Sequence, residues 1–311
     1  MAARCRPPDQ RAGRGEFRRP APALTGEAVR QSNADGGHGG RREEHSVAEN
    51  GFRAEEIDTS RPHPARIYDY LLGGKNNYEV DREAADRLAT AAPEVWSGVR
   101  ANRDFLRRAV RYVVGSGVRQ LLDIGTGLPS SPNVHEIARE LAPDARVAYV
   151  DNDPIVNTYA NVLLRGSDST SIALADLRDP RAVLDHPEVR QVIDFGEPVA
   201  VLLVAIVHFL TEAEEPERIL ATLRDALPDG SFLVLSHATD DFADRSAAQA
   251  VYDDATAALT LRSRARIEHF FDGFTLVEPG LAEVPFWRPD TPPPTGPGEI
   301  GYYGGVARKT G

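Results

Sequence analysis

The sequence contains one cysteine, Cys5, among its 311 residues. A single cysteine excludes a disulfide within the chain, a zinc site built from thiolates and an iron–sulfur cluster. Its place near the amino terminus also argues against a catalytic thiol in the core. No cluster of histidine and acidic residues has the spacing typical of a metal site, so we predict no metal.

Long apolar runs are lacking as well. The longest, Val199–Leu210, is interrupted by His208 and is too short for a bilayer, which needs roughly 20 apolar residues. The first twenty residues are rich in arginine and proline and lack the apolar segment of a secretory signal. We therefore expect a cytoplasmic protein that does not interact with membranes.

Basic residues are outnumbered, with 36 Lys and Arg against 47 Asp and Glu and a net charge of −11. A protein that binds the phosphate backbone needs a basic face, so a nucleic-acid partner is disfavoured. Residues 1–57 are dominated by Gly, Pro, Arg, Ser and Glu, without a sustained apolar period. Such a segment buries too little surface to offset its ordering entropy. We predict a disordered tail over 1–57 and a folded domain over 58–311.

The folded domain alternates apolar strands with helical patterns. Continuous apolar runs, typical of a parallel sheet covered by helices on both faces, occupy 119–125, 146–151, 171–176, 199–204 and 231–236. Helical spacing occurs at 65–72, 81–91, 102–114, 134–141, 154–164, 215–226 and 241–259. This order predicts a doubly wound α/β fold. The segments 274–280 and 300–308 predict an antiparallel hairpin at the sheet edge. We expect a helical cap or lid over 58–117 and the sheet core over 118–311.

The first strand ends in a glycine turn, Asp123-Ile124-Gly125-Thr126-Gly127. In open α/β sheets ligands bind at the carboxyl ends of strands, and glycine lets the backbone approach them closely. The dinucleotide pattern GxGxxG is incomplete, because Ser130 occupies the place of its third glycine. A simple tight turn between strand and helix remains an alternative. No Walker A lysine is present, which disfavours a nucleoside triphosphate.

Two further strands end in acidic residues, Asp151 and Asp176. A carboxylate at the end of the second strand can accept hydrogen bonds from a ribose diol, and one at the third can accept from an adenine amine. Helix capping is the alternative, since Asp153 and Asp179 each precede a proline. Together with the glycine turn, the two acids predict a nucleoside pocket.

These residues resemble the S-adenosylmethionine site of class I methyltransferases. The segments 65–88, 121–138, 148–156 and 277–289 resemble more specifically an actinobacterial family, now called S-adenosyl methyltransferases, that was first catalogued as a domain of unknown function. The resemblance covers about 60–308. It implies a Rossmann-like fold with a seven-stranded, mostly parallel sheet whose last strand is antiparallel. It implies no particular substrate.

The resemblance also implies S-adenosylmethionine as cofactor, with S-adenosylhomocysteine as product. Asp123 and the turn Gly125, Thr126 and Gly127 would line its methionine part, Asp151 would hold the ribose, and Asp176 with Leu177 would hold the adenine. We add Asn152 and Ala205, beside the second and fourth strand ends, as predicted cofactor contacts.

The segment after the first helix is rich in aromatic, amide and basic side chains. Tyr68 and Lys75 are predicted to form part of a lid over the cofactor, and Lys75 or Arg66 would meet its methionine carboxylate. Packing of the helix on the sheet is the alternative reading.

The acceptor side is less clear. The fourth strand is not followed by the Asn/Asp-Pro-Pro-aromatic sequence common in methyltransferases of nucleic-acid amino groups. His208 and, second, His237 are candidate general bases. A packing role for either histidine, and methyl transfer by proximity without a base, both stay open. Four aromatic residues either line an acceptor pocket or pack in the core: Trp96, Phe105, Phe286 and Trp287.

The leading hypothesis is therefore an S-adenosylmethionine-dependent methyltransferase that acts on an oxygen or nitrogen of a small molecule, in secondary metabolism. One alternative is a non-catalytic module that binds S-adenosylmethionine or S-adenosylhomocysteine. Another is an NAD-dependent oxidoreductase, against which the missing third glycine counts. The sequence predicts no oligomeric state.

Overall fold

A computed structural model of the chain describes residues 58–164, 166–293 and 296–311. The predicted tail, 1–57, lies outside the described residues. The described part is built on an eight-stranded sheet in the order β3-β2-β1-β4-β5-β8-β6, with β7 paired to β8. The strands are β1 Gln120–Ile124, β2 Arg146–Asp151, β3 Thr170–Leu174, β4 Val199–Val204, β5 Phe232–Ala238, β6 Thr275–Leu276, β7 Ala282–Glu283 and β8 Tyr302–Arg308.

The sheet confirms the doubly wound prediction. Strands β1 to β5 pair in parallel, and the strand order reverses between β1 and β4, where a crevice opens at the carboxyl ends of the strands. Strand β8 runs antiparallel between β5 and β6, as expected for the last strand. The two-residue strand β7 adds an eighth member that the sequence pattern did not indicate.

The described residues form ten α-helices. They are α1 Pro64–Leu71, α2 Glu79–Ala91, α3 Val95–Gly115, α4 Val134–Leu141, α5 Pro154–Leu163, α6 Pro180–Asp185, α7 Pro187–Val192, α8 Pro216–Asp225, α9 Ser246–Val251 and α10 Arg264–Glu268. Proline at the first position begins five of them, where its missing N–H costs nothing. The short helices α6, α7 and α10 were not predicted.

The predicted helix over 241–259 is wrong, because only Ser246–Val251 is helical. Tertiary contacts satisfy the backbone beyond it in place of helical hydrogen bonds. The Arg61 side chain donates to the carbonyls of Asp254 and Ala255, and the Thr256 amide donates to the Pro62 carbonyl. The alanine-rich pattern gives only a weak preference for helix, and these contacts override it.

Apolar side chains cover both faces of the sheet. One face packs against α6, α7 and α8, and the other against α3 and α4. On the second face Phe105 and Val110 of α3 are fully buried, and burial of such a side chain contributes about 1.5–3 kcal/mol. The predicted cap therefore divides: α3 packs on the sheet, and α1 and α2 form a separate apolar cluster with α9.

The separate cluster places α1 over the crevice. Ile67 and Leu71 of α1 pack with Leu88 of α2 and with Ala238 at the end of β5. His63 caps the amino terminus of this helix, since its side chain accepts a hydrogen bond from the Ala65 amide. Because α1 is held by its apolar face, its polar residues are left to border the crevice.

Candidate functional site

A cavity of about 370 Å³ lies at the carboxyl ends of β1 to β4, under α1. This volume is within the range of small-molecule sites. Twelve residues predicted for the site line it: Arg66, Tyr68, Asp123, Gly125, Thr126, Gly127, Asp151, Asn152, Asp176, Leu177, Ala205 and His208. Lys75 and His237, also predicted for the site, do not line it.

The glycine turn follows β1, and both glycines have left-handed backbone conformations. Gly125 has φ +73° and Gly127 has φ +67°. A Cβ on Gly125 would lie 2.5 Å from the Ile206 side chain, whereas one on Gly127 would meet nothing within 4 Å. Left-handed backbone costs roughly 1–2 kcal/mol in residues other than glycine. The glycines are thus explained by backbone conformation and, at Gly125, by the close approach of Ile206.

Asp151, the last residue of β2, is oriented by the backbone on both of its oxygens. Oδ2 accepts from the Gly127 amide at 2.8 Å, and Oδ1 accepts from the Asp153 amide at 2.9 Å. Each oxygen keeps a lone pair for a ligand hydroxyl. Burial raises the pKa of Asp151 to about 6. Asp153 itself caps α5, which confirms the helix-capping role that its position before a proline predicts.

Asp123, near the end of β1, is a second buried carboxyl. Its Oδ2 accepts from the Thr126 hydroxyl at 3.1 Å. Burial raises its pKa to about 6, and the neighbouring charge of Asp151 acts in the same direction. The two carboxyls are therefore costly to ionise together, and a cation bound between them would stabilise their charged forms.

Asp176 follows β3 and is partly exposed. Its Oδ2 accepts from the Asn152 side chain at 3.0 Å and from the Arg178 guanidinium at 2.9 Å. Hydrogen bonds from the Arg178 amide and the Asn152 side chain, with the Arg178 charge, outweigh its burial and lower the pKa of Asp176. Asp123, Asp151 and Asp176 define what we call the carboxylate end of the cavity.

A buried chain of hydrogen bonds runs from Ala205 to Tyr68. Ala205, after β4, has φ +58°, and its amide donates to the Ser236 hydroxyl at 3.0 Å. The Ser236 hydroxyl donates to Asn102 Oδ1 at 2.6 Å. Asn102 Nδ2 donates to the Tyr68 hydroxyl at 3.0 Å, and Tyr68 donates to the Val99 carbonyl at 3.1 Å. The chain fixes α1 to the strand ends.

His208 lines the cavity and is 2% exposed. Its Nδ1 accepts from the Ala238 amide at 3.2 Å. Burial, with the nearby His237 and Arg262, holds its pKa well below the usual value. The ring is therefore neutral, and the hydrogen bond at Nδ1 places its proton on Nε2. In this tautomer His208 is a hydrogen-bond donor, which does not support the predicted general base.

His237 is fully buried outside the cavity. Its Nδ1 is 2.6 Å from the Ala238 carbonyl, and Arg262 donates to its Nε2 at 3.0 Å. Burial lowers its pKa to about 3. The geometry gives His237 a packing role and does not bring it to the site.

The segment after α1 is organised by Asp69 and does not form a lid contact through Lys75. Asp69 Oδ2 accepts from the Asn76 amide and the Asn77 side chain, at 2.9 and 2.8 Å. Lys75 is exposed in this turn. Arg66 lines the cavity but lies between Asp81 and Asp153, with Nε 3.7 and 3.6 Å from their oxygens.

Arg103, Tyr252 and Tyr302 are among the cavity-lining residues that sequence reasoning missed. Arg103 of α3 donates to the carbonyls of Ser130 and Pro132, beside the glycine turn and Asp123. Tyr252 follows α9, and Tyr302 begins β8. Because β8 is antiparallel, its first residue lies at the same edge as the carboxyl end of β5, where it pairs with Ala238. No local motif marks the two tyrosines.

The aromatic residues proposed for an acceptor pocket pack elsewhere. Trp287 is fully buried, and its ring contacts Phe105 edge to face at 5.4 Å. Trp96 packs against Tyr70 at 5.9 Å. These residues and Phe286 do not line the cavity.

Two features are absent from the described residues. Over 58–164, 166–293 and 296–311, no helix is both long and apolar enough to cross a membrane. The same residues contain no group of three or more histidine, cysteine and acidic side chains placed to hold a metal ion.

Comparison with known proteins places the chain among close relatives. The sequence model of a family described as S-adenosyl methyltransferase matches residues 50–310. A solved protein of the DUF574 family from Streptomyces avermitilis is 44% identical, with a TM-score of 0.79, over 82% of this chain and 100% of its own. A solved protein from Thermobifida fusca, described as a candidate methyltransferase, is 39% identical, with a TM-score of 0.76, over 82% and 97%. No curated protein matches the chain.

Proposed function

Since the chain belongs to the S-adenosyl methyltransferase family, we propose that it methylates an oxygen or nitrogen atom of a small molecule. The chain is an S-adenosylmethionine-dependent methyltransferase with a Rossmann-like fold.

The carboxylate end is proposed to hold the cofactor. Asp151 would accept from the ribose hydroxyls, and Asp176 with Asn152 and Leu177 would contact the adenine. Asp123 and the glycine turn would border the methionine part. When bound, S-adenosylmethionine supplies a methyl group that is electrophilic because its sulfur carries a positive charge.

Arg103 is proposed as the residue that meets the methionine carboxylate. It lies beside the glycine turn and Asp123, at the position where the methionine part is expected. It takes the role that the sequence assigned to Lys75 or Arg66. Lys75 is exposed outside the cavity, and Arg66 has two carboxylates of the protein, Asp81 and Asp153, within ion-pair distance to balance its charge.

The observation that carries the proposal is the orientation of Asp151. Two backbone amides hold its carboxylate inside a cavity, with unused lone pairs on both oxygens. A buried carboxyl held in this way is costly unless a ligand hydrogen-bonds to it. A ribose diol, which offers two donors on adjacent carbons, fits this geometry.

Catalysis is proposed to proceed without a general base. The ring nitrogen of His208 that lacks a proton already accepts from Ala238, so His208 would orient the acceptor by donation from Nε2. The residues around the cavity would then act by holding the acceptor close to the methyl group and by excluding water.

A small acceptor is favoured by the cavity itself. Its volume of about 370 Å³ is small and α1 lies over it. The net charge of −11 disfavours a nucleic acid. The relatives from Streptomyces and Thermobifida support an actinobacterial origin, and we propose a cytoplasmic enzyme of secondary metabolism.

The test is a calorimetric titration of the purified protein with S-adenosylmethionine, S-adenosylhomocysteine and NAD. We expect micromolar binding of the two sulfur compounds and none of NAD. Binding of NAD alone would support the oxidoreductase alternative and refute the proposal. Methyl transfer from labelled S-adenosylmethionine to a small-molecule panel would then separate an enzyme from a non-catalytic binding module.

A further inference from the structure

The cavity has a second part, which we call the tyrosine end, formed by Tyr68, Tyr252, Tyr302 and His208. The His208 ring lies 6.0 Å from the Tyr302 ring and 4.5 Å from Phe209, which in turn contacts Tyr252 at 5.5 Å. The sheet order separates it from the carboxylate end, since β8 lies on the far side of β4 and β5 from β1, β2 and β3.

Two of its four polar groups have their hydrogen bonding fixed by the protein. Tyr68 donates its proton to the Val99 carbonyl and accepts from Asn102. His208 accepts at Nδ1 from the Ala238 amide, so its Nε2 carries a proton. Neither group can take a proton from an acceptor held in the cavity.

The other two groups are free donors. The hydroxyls of Tyr252 and Tyr302 make no hydrogen bond to the described residues. Burial raises the pKa of both, so they keep their protons at neutral pH. Each can therefore donate to a ligand, as can Nε2 of His208.

The other acids and the second histidine that line the cavity are engaged with the protein. Asp123, Asp151 and Asp176 belong to the carboxylate end, and Asp69 binds the turn that contains Asn76 and Asn77. Asp153 caps α5, Asp58 accepts from the Ser60 amide and hydroxyl, and His63 accepts at Nδ1 from the Ala65 amide. The tyrosine end thus offers several hydrogen-bond donors and no side chain placed to accept a proton.

We propose that the methyl acceptor bound at the tyrosine end is an oxygen nucleophile that is already ionised, either a carboxylate or an acidic phenol. This inference rests on the proposed function. An oxygen lone pair forms the new C–O bond while the electrons of the broken C–S bond stay on sulfur. Because the oxygen carries no proton, no base is needed, and hydroxyl donors stabilise its charge before transfer.

The test uses 4-nitrophenol as a probe, bound to the protein saturated with S-adenosylhomocysteine. Only its ionised form absorbs visible light, so absorbance reports the charge of the bound molecule. Near neutral pH, addition of the protein should increase the phenolate band. Phenol, which stays neutral because its pKa is near that of tyrosine at about 10, and benzylamine, a cation, should bind about tenfold more weakly or worse.

Two variants and a control locate the effect. Tyr252→Phe and Tyr302→Phe should each weaken binding of the phenolate by about tenfold, because each removes a donor to a charged oxygen. Tyr159→Phe, at an exposed position on α5, should change nothing.

A decrease of the phenolate band, equal binding of phenol or benzylamine, or binding of none of the probes would overturn the inference. Failure of S-adenosylhomocysteine itself to bind would instead refute the proposed function. The two failures are therefore distinguishable.

Discussion

The two ends of the cavity are built in different ways. The carboxylate end follows three neighbouring parallel strands, and each acid lies at or just after a strand end. The tyrosine end combines residues from α1, the loop after α9, the start of β8 and the turn after β4. The first end holds buried negative charge, whereas the second holds neutral donors. One end therefore suits a cation with a ribose, and the other suits an anion.

The difference between the two ends shows which part of the cavity local sequence patterns can predict. Glycine and aspartate in fixed positions after apolar strands mark the end proposed to hold the cofactor, because strand ends in a parallel sheet meet at one edge. The tyrosine end, proposed to hold the acceptor, depends on side chains that are far apart along the chain and meet only in the folded protein. Variants that damage one end and leave the other intact are the means to test this division.

The largest effect is expected at the glycine turn of the carboxylate end. Gly125→Ala adds left-handed strain and a contact of 2.5 Å with Ile206, and should lower the free energy of unfolding by about 2–5 kcal/mol. Gly127→Ala, with a similar φ and open space, should cost only about 1–2 kcal/mol. Urea unfolding measures both. Equal losses would show that Ile206 has room to move aside.

The next effect concerns the hydrogen-bond chain that joins the two ends. Asn102→Ala leaves the Ser236 and Tyr68 hydroxyls without their partner in a buried place, which should cost about 1–3 kcal/mol. Ser97→Ala on the same helix, where the hydroxyl bonds only to the Glu94 carbonyl, is the control. A loss no larger than that of the control would mean that the chain does not hold α1 in place.

A smaller effect is expected from pH, and its sign follows from the buried carboxyls. Burial raises the pKa of Asp123 and Asp151 from 3.8 in the unfolded chain to about 6. In the free protein their contribution to stability is therefore present at acid pH and lost as the pH rises through about 6.

A cation bound beside Asp123 and Asp151 favours the ionised forms of these carboxyls, whereas the free protein favours the protonated forms. The affinity for S-adenosylmethionine should consequently fall below about pH 6, by about tenfold per pH unit for each proton that must be displaced. S-adenosylhomocysteine, which lacks the positive sulfur, should show a weaker dependence. Titration calorimetry at several pH values measures both. Parallel curves for the two compounds would place the sulfur away from these carboxyls.

The smallest effect is expected outside both ends. Lys75→Ala should leave the affinity for S-adenosylmethionine unchanged, because Lys75 is exposed outside the cavity. Arg103→Gln should weaken it by about tenfold, through loss of the charged hydrogen bond proposed between Arg103 and the methionine carboxylate. The reverse pattern would restore the assignment made from the sequence.

Much of the fold was predictable because strands β1 to β5 are short, continuous apolar runs, which fit few structures other than buried strands. The helix boundaries were less so: α3 begins at Val95 and not at Asn102, since Val99 extends its buried face past Gly98. Irregular backbone beyond α9 is stabilised by Arg61 and Pro62, nearly two hundred residues away along the chain.

The roles of the two histidines were not predictable for a similar reason. His208 and His237 both follow or end apolar strands, and their sequence surroundings suggest the same chemistry. Only the folded protein shows that the Ala238 amide occupies Nδ1 of His208 and that Arg262 occupies Nε2 of His237. Hydrogen bonds from distant backbone and side chains decide whether a histidine can accept a proton.

The most direct test of the division between the two ends is a titration of S-adenosylmethionine into Asp151→Asn and Tyr302→Phe beside the unchanged protein. The account predicts that Asp151→Asn weakens binding by about tenfold or more, and that Tyr302→Phe leaves it within about twofold. Unchanged binding in Asp151→Asn, or a loss in Tyr302→Phe as large as that expected for Asp151→Asn, would contradict it.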